Sequence, residues 1–107
     1  MWSLLRTPEF TKWLDGLKDL RGRVRIIQRV DRLASSNPGD SKSVGNGVYE
    51  LRMTFGPGYR VYYLKASELV VLLLCGGDKS SQSKDIAKAH ELADRWHEDR
   101  NNNKEMP

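Results

Sequence analysis

Phe10, Trp13, Leu14 and Leu17 recur at i, i+3, i+4 and i+7, the spacing that gathers apolar side chains on one face of an α-helix. Thr7 followed by Pro8 predicts where that helix begins. A threonine hydroxyl can cap free N–H groups, and a proline at the first helical position gives up no hydrogen bond. A break is expected near Gly22, followed by a second apolar stripe of Ile26, Ile27, Val30, Leu33 and Ala34, so the two helices read as a hairpin. Residues 37–40 (NPGD) end it and open a polar loop running to Gly47. From Val48 the period becomes two. Tyr49, Leu51, Met53 and Phe55 point one way, and Glu50, Arg52 and Thr54 the other. The turn GPGY (56–59) leads into a strand over 60–65, and a second turn at 66–68 leads into the run LVVLLLC (69–75), which completes an antiparallel meander. That last strand is apolar throughout, so it should lie inside the sheet with both faces covered, the helical hairpin covering one.

Residues 2–6 read as a short edge strand. Past Gly76 and Gly77, Asp78 and Lys79 occupy a loop, and a final helix carries Ile86, Ala89, Ala93 and Trp96 on its inner side. The expected fold class is α+β: an antiparallel sheet on an N-terminal helical hairpin, with a C-terminal helix. One domain over 1–97 and a loose tail over 98–107 complete the expected organisation.

A chain of 107 residues has room for one modest core. Eighteen Lys and Arg against fourteen Asp and Glu leave a net charge of +4, which favours polyanions without choosing among them. Cys75 is the single cysteine and lies within the apolar run, so no internal disulfide or cysteine metal cluster can form. No apolar run approaches the ~20 residues that cross a bilayer. Residence in the cytoplasm, away from membranes, is the expectation.

The chemistry-bearing residues narrow quickly. His90 and His97 stand two helical turns apart with no cysteine beside them, a poor metal set, and they read as packing at the edge of the last helix's apolar face. No G-x-S-x-G elbow, Walker sequence or dinucleotide loop occurs, so neither metal nor cofactor is expected. What remains is Arg52, Arg60 and Lys79 on strands and strand ends, with Glu50, Asp78 and Asp85 near them in sequence. Taken singly, each cation reads as solvated or as a weak surface pair. Whether Arg52 and Arg60 share a face depends on the strand register, since a one-residue slip reverses every side chain. If the three converge, they suit cleavage of an RNA phosphodiester by its own 2′-hydroxyl. The pentacoordinate transition state of that reaction gathers negative charge that fixed cations stabilise. Tyr59, with Tyr49, Tyr62 and Tyr63, would stack on a splayed base or pack in the sheet. On the second helix, Arg21, Arg25, Arg29 and Arg32 fall in about one quadrant at ~100° per residue, a basic ridge that would either grip RNA phosphates or stand in solvent.

The segments FTKWLDGLKD, RIIQRVDRL, NPGDSKSVGNGVYELRMTFGPGYRVYY and VVLLLCGGDKSSQSKDI resemble the RelE/ParE superfamily of toxins from bacterial type II toxin–antitoxin modules, and within it the HigB-like addiction module killer proteins. The resemblance covers about residues 1–97. It implies a curved antiparallel sheet of about four strands and a helix-turn-helix antitoxin that neutralises the toxin and carries it to operator DNA. It also implies metal-independent endoribonuclease action on mRNA in the ribosome. The family's cationic positions carry over onto Arg52, Arg60 and Lys79. The RelE pattern has a lysine where Glu50 stands and a tyrosine where Asp85 stands, so Glu50, Asp85 and Lys79 all remain candidates for moving the proton. The same scaffold also serves ParE-like poisons of DNA gyrase, which lack the cations, and decayed modules that only bind an antitoxin.

Overall fold

The structure is a computed structural model. It describes the backbone of residues 1–105 and the side chains of residues 1–101. Strand β1 (Ser3–Arg6) leads into helices α1 (Pro8–Asp15) and α2 (Leu20–Ala34), and then come β2 (Ser41–Gly45), β3 (Val48–Arg52), β4 (Arg60–Lys65) and β5 (Val70–Gly77). A single 3₁₀ turn at Lys79–Ser81 joins β5 to helix α3 (Gln82–Glu105). The five strands form one sheet in the order β1-β5-β4-β3-β2. β1 runs parallel to β5, and every other pairing is antiparallel.

Helices α1 and α2 start where their caps dictate. The Thr7 hydroxyl accepts from the Phe10 amide at 3.0 Å and donates to the Leu74 carbonyl at 2.5 Å, so one side chain both starts α1 and ties it to β5. Asp19 caps α2 by accepting from the Gly22 amide at 3.0 Å. Gly22 therefore lies inside the first turn of α2 and does not break the chain as its sequence position implied. It is small because Tyr59 packs against it: a Cβ there would come within 2.8 Å of that ring.

The sheet has one strand more than expected, and it is mixed. β2, the serine-rich stretch expected as loop, pairs with β3 because Asn46 and Gly47 adopt φ values of 57° and 76°, the two left-handed positions of a tight hairpin turn. Asn-Gly turn chemistry thus outweighs the polarity of the strand. The C-terminal helix is also longer than expected. It runs through 98–105, assigned to a loose tail from sequence, while residues 106 and 107 lie outside the described residues.

Two apolar layers sandwich the sheet. On one side Phe10 and Leu14 of α1 and Ile26, Val30 and Leu33 of α2 pack on Leu51, Val61, Tyr63, Val71 and Leu73. On the other, Ala89, Leu92 and Ala93 of α3 pack on Val48, Tyr62, Leu64, Leu72 and Leu74. Alternation along β4 sends Tyr62 and Tyr63 to opposite layers, while the register shift beside them leaves Leu74 of β5 unpaired and puts Leu74 and Cys75 in the same layer. β5 is thus covered on both faces, as its unbroken apolar run predicts.

Trp13 lies on Gly76 so closely that a Cβ added to this glycine would overlap the indole. Gly76→Ala should therefore destabilise the fold by about 1–3 kcal/mol through overpacking, even though alanine suits a strand better than glycine does. A lowered urea midpoint with an unchanged m-value is the expected reading; an equal or raised midpoint would mean that the indole moves aside freely.

Candidate active site

Strand pairing answers the question of register. Arg52 lies directly opposite Arg60, and Arg60 directly opposite Gly77, so β3, β4 and β5 end in one row. The chain leaving β5 then places Lys79 beside the 56–58 turn, where its amide donates to the Pro57 carbonyl at 3.4 Å. Arg52, Arg60 and Lys79 consequently line one cavity of about 470 Å³, together with Thr54, Gly58 and Asp40. Gly58 takes φ 77°, and a Cβ there would stand 3.4 Å from the Arg60 guanidinium, so the turn is kept bare where the cations meet.

Behind the cavity the arginines are held by a carboxylate with no solvent exposure. Glu50 accepts from Arg52 Nε at 2.9 Å, from Gln82 Nε2 at 2.8 Å and from the Tyr62 hydroxyl at 3.0 Å. Arg60 Nε stands 3.9 Å from the same carboxylate. Burial alone would raise the Glu50 pKa, but the hydrogen bonds from Arg52, Gln82 and Tyr62 outweigh it and hold the acid below its ordinary range. The Tyr62 hydroxyl, buried against this anion, is pushed far above the usual phenol range.

Arg60 is fixed more tightly still. One terminal nitrogen, Nη1, donates to the Gly58 and Tyr59 carbonyls at 2.9 and 3.2 Å and lies 3.4 Å from that of Met53. Its side chain is only 11% exposed, and among the described residues its buried Nε has no hydrogen-bond partner. That Nε faces the Glu50 carboxylate, 3.9 Å away, so the carboxylate rather than solvent is its neighbour.

The two carboxylates considered as proton acceptors are otherwise engaged. Glu50 already serves three donors. Asp85 accepts from the Ser81 hydroxyl at 2.5 Å and fills the space that Gly77 leaves open, outside the residues that line the cavity. Lys79 is the exposed cation of the group, whereas Arg52 and Arg60 are partly buried.

The basic ridge of α2 divides. Arg29 turns into the fold, donating to the Pro38 and Arg52 carbonyls at 3.0 Å each, and thereby braces the end of β3. Arg25 lays its guanidinium over Phe55, 5.0 Å from the ring centre, while Arg21 and Arg32 are exposed. Tyr59, expected on a base, is a core residue: its ring packs on Trp13 and Phe55, and its hydroxyl donates to Asp19 at 2.9 Å. Burial and the Asp19 carboxylate together raise the Tyr59 pKa. His90 bonds the Val44 carbonyl at 2.9 Å and fastens β2 to α3. Neither Gln82 nor Asp40 was singled out in the sequence, and Tyr62 was read as stacking on a base or packing in the sheet, not as a donor to a buried carboxylate. Only the pairing of β3 with β4 and the start of α3 bring Tyr62 and Gln82 onto Glu50.

The family model "Phage derived protein Gp49-like (DUF891)" matches residues 12–96. The chain belongs to this Gp49-like family. An uncharacterised protein of Haemophilus influenzae is 51% identical over 87 residues, which is 81% of this chain and 88% of the relative. Among solved structures, an arginine-to-alanine double mutant of the Escherichia coli toxin RelE in the free state superposes with a TM-score of 0.64 at 20% identity, covering 83% of this chain and 93% of that one. The Gp49-like chain therefore has the RelE fold, as its resemblance to the RelE/ParE superfamily implied. No helix among the described residues is long and apolar enough to cross a membrane.

Glu50→Gln would remove the anion and leave Arg52 and Arg60 facing each other, costing roughly 1.5–3 kcal/mol for the lost charged hydrogen bonds. Because the folded-state pKa is depressed, the contribution of Glu50 is complete above its unfolded value of about 4.3 and is lost as pH falls through the lower folded value. Acid titration of stability should accordingly fall less steeply below about pH 4 in the variant than in the parent. Parallel titration curves would show that this carboxylate is not what couples folding to acid.

Proposed function

We propose that this Gp49-like protein is the toxin of a type II toxin–antitoxin pair and acts as a metal-independent endoribonuclease on mRNA held by the ribosome. The observation that carries this reading is the convergence of Arg52, Arg60 and Lys79, from two strands and a loop, on the lining of one cavity. In the reaction the RNA's 2′-hydroxyl attacks the adjacent phosphorus, the P–O5′ bond breaks, and a 2′,3′-cyclic phosphate and a 5′-hydroxyl result. Arg60 and Arg52 hold the non-bridging oxygens as charge accumulates on them. Lys79 donates a proton to the departing 5′-oxygen. The 2′-hydroxyl proton passes to an acceptor outside the cationic trio, since Glu50 is already saturated with donors.

In this reading the ribosome supplies the framework that a small open cavity lacks, and the exposed Arg32 contributes a phosphate contact. A helix-turn-helix antitoxin of the kind that accompanies HigB-like toxins is the expected partner, and operator DNA is reached only through the complex.

Inducing the chain in cells and mapping mRNA 5′ ends, with and without a translation inhibitor, tests the proposal. Codon-phased cuts that need translation are expected, and Arg60→Ala should lower their rate about 10²–10³-fold, the scale for removing one transition-state donor. Arg60→Lys, which keeps the charge but loses the fork, should recover little of it. Growth arrest with intact mRNA and broken DNA would instead assign the fold to a gyrase poison. Absence of any arrest would leave a module that has lost its target.

A further inference from the structure

Helix α2 buries Gly22, Ile26, Val30 and Leu33 but leaves Leu20, Val24 and Ile27 exposed at 62%, 54% and 39%. These three recur at i, i+4 and i+7. At ~100° per residue they form a second apolar stripe, turned well away from the core-facing one. Arg21 and Arg25 run along one edge, and with Leu20, Val24 and Gln28 they line an open hollow of about 520 Å³. The helix carries five arginines and one aspartate, Asp31. Scattered exposed aliphatics are ordinary, whereas an aliphatic stripe in helical register beside a row of cations is a shaped surface.

We propose that this outer face of α2 docks an acidic amphipathic helix contributed by a partner protein. Two turns of α2 offer Leu20, Val24 and Ile27 to the partner's own i, i+3/i+4, i+7 apolar residues, and Arg21 and Arg25 pair with glutamate or aspartate on its flank. Charge rejects the other occupants. A second copy of this chain, meeting α2 with α2 about a two-fold axis, would set arginine against arginine. RNA would use the cations but gain nothing from three aliphatic side chains, and no aromatic ring stands among the residues of the hollow to stack on a base. The face is also separate from the cavity, with which it shares no lining residue.

The test is a fluorescence-anisotropy titration of the full chain with a labelled designed peptide, leucine at i, i+3, i+4, i+7 and i+11 with glutamate on both flanks, against a scrambled peptide of the same composition. The amphipathic peptide should bind at least ~10-fold more tightly than the scrambled one, a difference of ~1.4 kcal/mol, and more weakly as salt rises. Val24→Glu and Arg21→Glu, both at exposed positions, should each weaken it at least ~10-fold while the melting temperature stays unchanged. Equal binding of both peptides, no binding of either, or binding indifferent to Val24→Glu would overturn the proposal. So would a labelled single-stranded RNA that binds in place of the peptide and is lost with Arg21→Glu.

Discussion

A carboxylate sealed under the sheet is the constraint on which the site depends. Two arginines placed directly across from one another on neighbouring strands repel, and at the end of a small sheet nothing in the backbone prevents them from swinging apart into water. Glu50 resolves this by standing behind both, with Arg52 hydrogen-bonded to it and Arg60 at ion-pair distance. Its own burial would be untenable alone. The Tyr62 hydroxyl and the Gln82 amide make up the remaining donors, so the anion is satisfied from β3, β4 and α3 at once. The site therefore forms only when the sheet has closed and α3 has docked on it. Assembly of the cations and completion of the fold become one event.

The same economy of space governs the strand that follows. β5 ends in Gly76 and Gly77, and the missing side chains are filled from opposite sides, by the Trp13 indole on one and the Asp85 carboxylate on the other. Helices α1 and α3 thus approach the sheet at neighbouring residues, and the chain leaves β5 in a fixed direction. That direction brings Lys79 over the 56–58 turn. Asp78 then locks the exit by accepting from the Ser80 amide at 2.8 Å, a hydrogen bond that, with the Ser80 hydroxyl, holds its acid below the usual range. The loop lysine is positioned by cap chemistry at its own terminus rather than by contact with the two arginines.

Much of this was legible in the chain and some was not, for physical reasons. Helix stripes, caps and the doubly covered β5 follow from periodicity, because burial acts on every residue of such an element at once. β2 escaped notice because its partner, β3, supplies its hydrophobic company, and the Asn46–Gly47 turn that creates it reads as a polar loop until the strand is seen. The polar face of β3 looked solvent-bound, yet α3 covers it. A glutamate between tyrosine and leucine gives no sign of whether it meets water or three donors, since Tyr62 and Gln82 lie 12 and 32 residues away. The cationic trio was visible as residues but not as a place. Its convergence rests on the pairing of Arg52 with Arg60, and a shift of one position would have erased it.

Preorganisation explains why a protein of this size would tolerate a buried acid at all. An apolar residue at position 50 would spare the desolvation of a charge, but Arg52 and Arg60 would then lose the group that orients them. A flexible pair of cations would have to reorganise around a phosphate at the moment of charge development, and the energy of that rearrangement would subtract from any stabilisation they offer. With Nη1 of Arg60 directed at backbone carbonyls and Glu50 behind the pair, the arginine's position is set before any ligand arrives. The buried glutamate thus holds two like charges in one fixed geometry at the cavity, the geometry that a phosphate would meet under the proposed reaction.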